Sequence, residues 1–277
     1  MWQQIKDRAR AHSNLVSLAT FSLFLIWLCS LMEWPVALML SVSLAIHEYS
    51  HVWAMKRIGM RIEGVIFVPF FGAMALGGGG KILNRKQEYL VALAGPLMGY
   101  LSALPVIAAL ILTGEKIFFK TAYFIILLNL FNMVPLSPLD GGRMIKSILM
   151  SLKNKILGFA ILGAVGIYVL VMLYRVYISP FILVLIAWMA MSEFMNEWRT
   201  HKICKEAEEI LSRYKGLSAE EARQRFETEY SENKYIVLYS DRIMKNLTPL
   251  NLKQGMFFTL AYIVLAGWPL ALYLLMR

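Results

Sequence analysis

Repeated runs of apolar residues, each close to the length that crosses a lipid bilayer, constrain this chain more than any other feature. One helical crossing takes about 20 mainly apolar residues. Runs of that kind lie at roughly 15–32, 34–55, 89–112, 117–134, 156–174, 180–195 and 256–276. They predict an all-α polytopic membrane protein with about seven transmembrane helices. Composition agrees, with 58% hydrophobic and only 17% charged residues, where soluble domains are nearer half and a quarter. No small-residue cleavage site clearly follows the first run, so it is expected to be a retained span rather than a signal peptide.

The basic residues orient these spans, because lysine and arginine concentrate in cytoplasmic loops. Lys6, Arg8 and Arg10 precede the first run, and Lys56, Arg57, Arg61, Lys81, Arg85 and Lys86 follow the second. Arg143, Lys146, Lys153 and Lys155 follow the fourth, and Arg199, Lys202 and Lys205 the sixth. The opposite loops hold only Lys116, Lys120 and Arg175, apart from the terminal Arg277. A cytoplasmic amino terminus is therefore expected, in a cell membrane. The net charge of +10 is explained by the same loops, and the scatter of these residues between apolar spans argues against nucleic-acid binding. Cys29 and Cys204 are placed on opposite sides and are not expected to pair.

Two segments depart from simple spans. Residues 62–80 mix β-branched and aromatic residues with Pro69 and Gly72 and then four glycines. That composition suits a strand or hairpin, either an interfacial connector or a short re-entrant β element lining a site. Residues 199–255 are polar and charged, and Ser218 with Glu221 forms a capping-box pattern. This stretch is expected to be a cytoplasmic helical insert, a place for a regulatory partner. The domain reading is a membrane domain over 1–198 with its core at about 34–150, the insert at 199–255, and a last helix over 256–277.

The chemistry sits in His47-Glu48-Tyr49-Ser50-His51. On a helix, residues four apart share a face, so both imidazoles can reach one metal ion, with the glutamate beside the first able to act on a water there. The chain has four histidines, and this pentapeptide takes two of them, inside an otherwise apolar run. A snorkelling helix end would account for His51 but poorly for Glu48, since a carboxylate deep in a span costs roughly 3 kcal/mol. A catalytic zinc takes three protein ligands and keeps one position open. His12 and His201 lie in flanking polar segments. Asp140 is the better third ligand together with the histidine pair, although taken alone it reads sooner as a helix N-cap. It follows Pro135 and Pro138, which interrupt helix, precedes Gly141 and Gly142, and reaches the same membrane face as the histidines.

With these residues in hand, the chain resembles the site-2 protease family of intramembrane zinc metalloproteases. The H-E-x-x-H segment and the later Asn132-Met133-Val134-Pro135-Leu136-Ser137-Pro138-Leu139-Asp140-Gly141 match the family's two motifs, over about residues 34–150. Ala94-Gly95-Pro96-Leu97 and Pro69-Phe70-Phe71-Gly72 look like further family features. The resemblance implies a three-helix catalytic core, and one Zn2+ bound by His47, His51 and Asp140 with Glu48 as general base. It also implies that Asn132 contacts the substrate backbone or oxyanion, and that Phe71 and Gly72 pair with an unwound segment. The substrate would be a transmembrane protein, cut near the cytoplasmic face. No PDZ or CBS module is found, which leaves regulation open. A metal transporter and a non-cleaving client-binding relative are the competing readings.

Overall fold

A computed structural model describes residues 2–60, 62–68, 72–77, 84–175, 179–211 and 249–275, with positions 221, 224, 225 and 228. The described residues are helical apart from one hairpin and the connecting loops. The elements are α1 (Trp2–Leu31), α2 (Trp34–Arg57), β1 (Ile62–Val68), β2 (Gly72–Gly77), α3 (Arg85–Thr113) and α4 (Lys116–Asn132). These are followed by α5 (Asp140–Leu149), α6 (Lys155–Arg175), α7 (Pro180–Leu211) and α8 (Leu252–Leu275). β1 and β2 pair antiparallel, with Val68 opposite Gly72 and an irregularity between Ile62 and Gly64. Phe71, Pro69 and Ser218 lie outside the described residues, and with them the site reading at Phe71 and the capping box at Ser218. α7 runs unbroken through Arg199, where the polar segment begins.

Three of the described helices are long and apolar enough to cross a membrane: Arg85–Thr113, Lys155–Arg175 and the stretch Pro180–Lys202 of α7. Two of the other expected spans show physical reasons for falling short. α4 is 17 residues long, and α2 carries His47, Glu48 and His51 inside its apolar run. Large apolar side chains such as Ile111, Leu112, Phe181 and Trp188 point outward, a surface that suits lipid rather than water.

The centre of the fold is where α2, α3 and α4 meet. The buried residues of α2 include Ala37, Leu40, Leu44, His47 and His51, a three- and four-residue spacing that lines one face. The two histidines therefore continue an apolar stripe. α4 buries Thr121, Ile125 and Asn129, again one residue per turn. α3 meets both helices with Ala92, Gly95, Gly99 and Ala103, small side chains that let backbones approach without lipid between them. Ser43 of α2 and Ser102 of α3 share a hydrogen bond of 2.6 Å across this contact. Asn84 caps α3 in a full capping box with Gln87, and Gly114, at φ 68°, ends it in the left-handed region that glycine adopts without strain.

At the end of the bundle that carries the start of α3, a buried ion-pair cluster ties α3, α5 and α7 together. Lys146 of α5 lies 2.8 Å from Glu88 of α3 and 2.7 Å from Glu193 of α7. Arg85 pairs with Glu88 at 3.0 Å and also with Glu197 of α7. Burial alone would lower the Lys146 ammonium, but Glu88, Glu197 and Glu193 outweigh it and hold it above the usual lysine range. Removing one partner from such a cluster strands the opposite charges, which costs ~3–5 kcal/mol. Lys146→Met is therefore expected to lower the thermal unfolding temperature of detergent-solubilised protein markedly. An unchanged melting curve would show that the cluster does not hold α5 in place.

Candidate metal centre

Each of the three expected ligands reaches the site from a different local structure. His47 and His51 project from one face of α2, one turn apart, and both are buried. Asp140 arrives on the loop between α4 and α5. Pro135 and Pro138 keep that loop out of helix, and two glycines let it pack closely. A Cβ at Gly141 would overlap the Met133 carbonyl, and one at Gly142 would overlap the Ser137 amide. Asp140 is the first residue of α5, and the N-cap position belongs to Leu139 with no side-chain cap. The capping alternative for Asp140 therefore has no counterpart in the fold, and its carboxylate is turned inward and buried.

Three donor atoms converge there. His47 Nε2 is 3.1 Å from Asp140 Oδ2, His51 Nε2 is 3.2 Å from the same oxygen, and the two Nε2 atoms are 3.2 Å apart. Ligands about 2.0 Å from a tetrahedral zinc are about 3.3 Å from each other, so this near-equilateral triangle has the size of one face of such a site.

The protons decide what the triangle is for. His51 Nδ1 lies 2.7 Å from the Val91 carbonyl oxygen, which can only accept, so Nδ1 carries the proton. His47 Nδ1 lies 2.9 Å from Asn129 Oδ1. The Asn129 amide nitrogen donates to the Ile125 carbonyl at 2.8 Å, which leaves its oxygen facing the histidine and puts the proton on His47 Nδ1 as well. In neutral imidazoles both Nε2 atoms then present lone pairs to a carboxylate oxygen. Three lone pairs at this separation repel one another unless a cation sits among them. Two imidazole nitrogens and one carboxylate oxygen, each histidine oriented through its other nitrogen, is the donor set of a catalytic zinc site. Among the described residues, His47, His51 and Asp140 form the one such cluster.

Asn129, Val91, Gly95 and Gly99 are the site residues whose roles the motifs did not show. A Cβ at Gly95 would overlap His51 Nε2 and lie 2.7 Å from His47 Nε2, and one at Gly99 would overlap the Asn129 amide. The G-x-x-x-G spacing of residues 95–99 in an apolar helix is a signal that could have found this contact. Asn132 has its amide nitrogen 3.5 Å from His47 Nε2, beside the triangle. Glu48 is half-buried on α2 next to His47. His201 instead lies against the Phe159 and Trp198 rings.

Residues 35–124 match the family model described as Peptidase family M50. Over those residues the chain is similar to Peptidase family M50. That stretch contains His47, Glu48 and His51 and ends before Asn132 and Asp140, so Asp140 rests on the geometry above. The Mycobacterium tuberculosis protein Rip3, which is named a zinc metalloprotease, is 37% identical over 121 residues, 41% of this chain and 30% of that protein. A zinc metalloprotease of Methanocaldococcus jannaschii is 26% identical over 142 residues, 47% of this chain and 41% of that one. The solved site-2 protease from Methanocaldococcus jannaschii aligns over 65% of this chain and 88% of that one, at 23% identity and a TM-score of 0.42. The chain spans less than half the length of the two curated relatives.

Two substitutions test this site. Gly95→Ala should displace both imidazoles and abolish zinc retention, read as metal content after purification and a brief chelator wash. Asn129→Leu removes the acceptor that orients His47 and should weaken zinc binding roughly 10–100-fold. Wild-type zinc affinity in the Asn129 variant would show that the amide does not set the ring.

Proposed function

We propose that this chain is an intramembrane zinc metalloprotease that hydrolyses a peptide bond in or near a transmembrane segment of another membrane protein. The carrying observation is the convergence of two histidine Nε2 lone pairs and the Asp140 carboxylate in the interior of an apolar helical bundle. His47, His51 and Asp140 would hold a zinc ion, which when bound would supply Lewis-acid chemistry for a scissile carbonyl and a water. Glu48, next to His47 on α2, accepts the proton of the attacking water and returns it to the departing amide nitrogen. The Asn132 amide donates a hydrogen bond to the substrate backbone or to the oxygen that gains charge in the transition state. The hairpin of β1 and β2 is a re-entrant element, and around Phe71 and Gly72 it pairs with an unwound substrate segment by strand addition.

The same reading completes the topology. About seven helices span the bilayer, the amino terminus is cytoplasmic, and the site opens towards that face, from which water enters. Residues 1–198 form the membrane domain, 199–255 an insert on the cytoplasmic side that receives a regulatory partner, and 256–277 the closing helix. The active-site reading is tested with Glu48→Gln, which alters no ligand. In proteoliposomes the variant should retain zinc yet cleave a transmembrane substrate at least ~100-fold more slowly, the scale of a lost general base. Comparing membrane proteomes of cells carrying wild type and variant identifies that substrate as the full-length protein that accumulates. Cleavage by the variant at the normal rate would remove Glu48 from the mechanism.

A further inference from the structure

The C-terminal helix α8 lies beyond the family-matched residues 35–124 and carries none of the expected ligands, yet it touches both halves of the metal centre. Its contacts are specific. The Tyr262 hydroxyl donates to the Met133 carbonyl at 2.7 Å. Met133 is the C-cap of α4, next to Asn132 and at the start of the loop that delivers Asp140. Its carbonyl also faces Gly141, where no Cβ would fit. One turn earlier on α8, the Phe258 carbonyl accepts a hydrogen bond of 2.6 Å from the Tyr89 hydroxyl of α3. The Phe258 ring stacks on Tyr89 with centroids 4.1 Å apart. Tyr89 lies two residues before Val91, whose carbonyl orients His51. Residues four apart share a helix face, so Phe258 and Tyr262 form two adjacent teeth of one clamp. One grips the helix that orients a histidine, and the other grips the loop that carries the carboxylate.

The rest of the contact locks this arrangement in register. Met133, Met144, Tyr89 and Phe258 belong to one buried cluster that also includes Leu250, just before α8. The Leu250 amide donates to the Ser151 hydroxyl beyond α5 at 3.1 Å. The Met133 carbonyl stands past the end of the α4 ladder, where a helix leaves its last carbonyls without intrahelical partners. In apolar surroundings such an oxygen needs a donor, and Tyr262 supplies it.

We propose that Tyr262 is a positioning residue for the metal centre: through the Met133 carbonyl it fixes the loop that places Asp140 and Asn132, so that α8 is an integral part of the site. This rests on the zinc reading above. The test uses the full chain in detergent micelles, with zinc and separately with cobalt(II) as the metal probe. Tyr262→Phe keeps the ring and removes only the donor. It should lose zinc to a chelator roughly three- to tenfold faster, the scale of one hydrogen bond. It should also shift the visible absorption of the cobalt-loaded protein, and lower kcat for a transmembrane substrate with little change in KM. Thr259→Val, at an exposed position of the same helix, should match wild type in all three readouts. A Tyr262→Phe protein with wild-type zinc loss, cobalt spectrum and kcat would overturn the proposal while leaving the zinc reading intact. So would a variant that only unfolds at lower temperature. If wild type itself holds no zinc in a His47-dependent manner, the zinc reading fails first, and that result is separable from any comparison between variants.

Discussion

Two hydrogen bonds to imidazole Nδ1 atoms govern the rest of this structure. Val91 and Asn129 are acceptors, from different helices, and each forces a proton onto the outer nitrogen of a histidine. That leaves both inner nitrogens as lone pairs in a buried space shared with a carboxylate. A cation among these three donors relieves the repulsion, and the fold presents them as a cation position. The packing follows from this demand. α3 must come close enough to α2 for the Val91 carbonyl to reach His51, and close enough to α4 for Asn129 to lie under His47. Gly95 and Gly99 permit both approaches.

The polar groups of the site sit in helices whose outer faces are apolar, and this sets how they are held. In lipid a backbone or side-chain polar group finds no water, and several donors and acceptors near the centre are paired across helices. Ser43 with Ser102, Tyr89 with Phe258 and Tyr262 with Met133 are all contacts between elements distant in sequence. At the end where α3 begins, charged groups gather in the cluster of Arg85, Glu88, Lys146, Glu193 and Glu197. That cluster joins α5, which carries Asp140, to α7, which runs on towards the polar segment. The metal site is therefore stapled to its surroundings from two sides, by charge at one end and by the clamp of α8 near its loop.

Much of the chemistry was legible in the sequence because it depends on short-range periodicity. The i, i+4 spacing of His47 and His51 places both rings on one helix face whatever surrounds them, and Pro135 and Pro138 break helix wherever they occur. The composition of residues 62–80 made them a hairpin candidate, and 62–68 and 72–77 form one. Span boundaries were legible to within a few residues for α3, α6 and the start of α7. They were less so for α7's end, where helix continues through charged residues to Leu211, because helix propensity does not stop where hydropathy does.

Sequence alone determined which residues can bind a metal and that the chain is built from apolar helices, since both follow from side-chain chemistry and local period. It favoured Asp140 as a ligand only in company with the histidine pair, because a carboxylate before two glycines taken alone reads as a cap. Only the tertiary structure set Asp140 Oδ2 3.1 Å from His47 Nε2 while Leu139 took the capping position. The tertiary structure alone also recruited Asn129, Val91 and Tyr262. Their roles depend on which carbonyl or amide from another helix lies within 3 Å, a relation between residues 40 to 129 positions apart that no local pattern encodes.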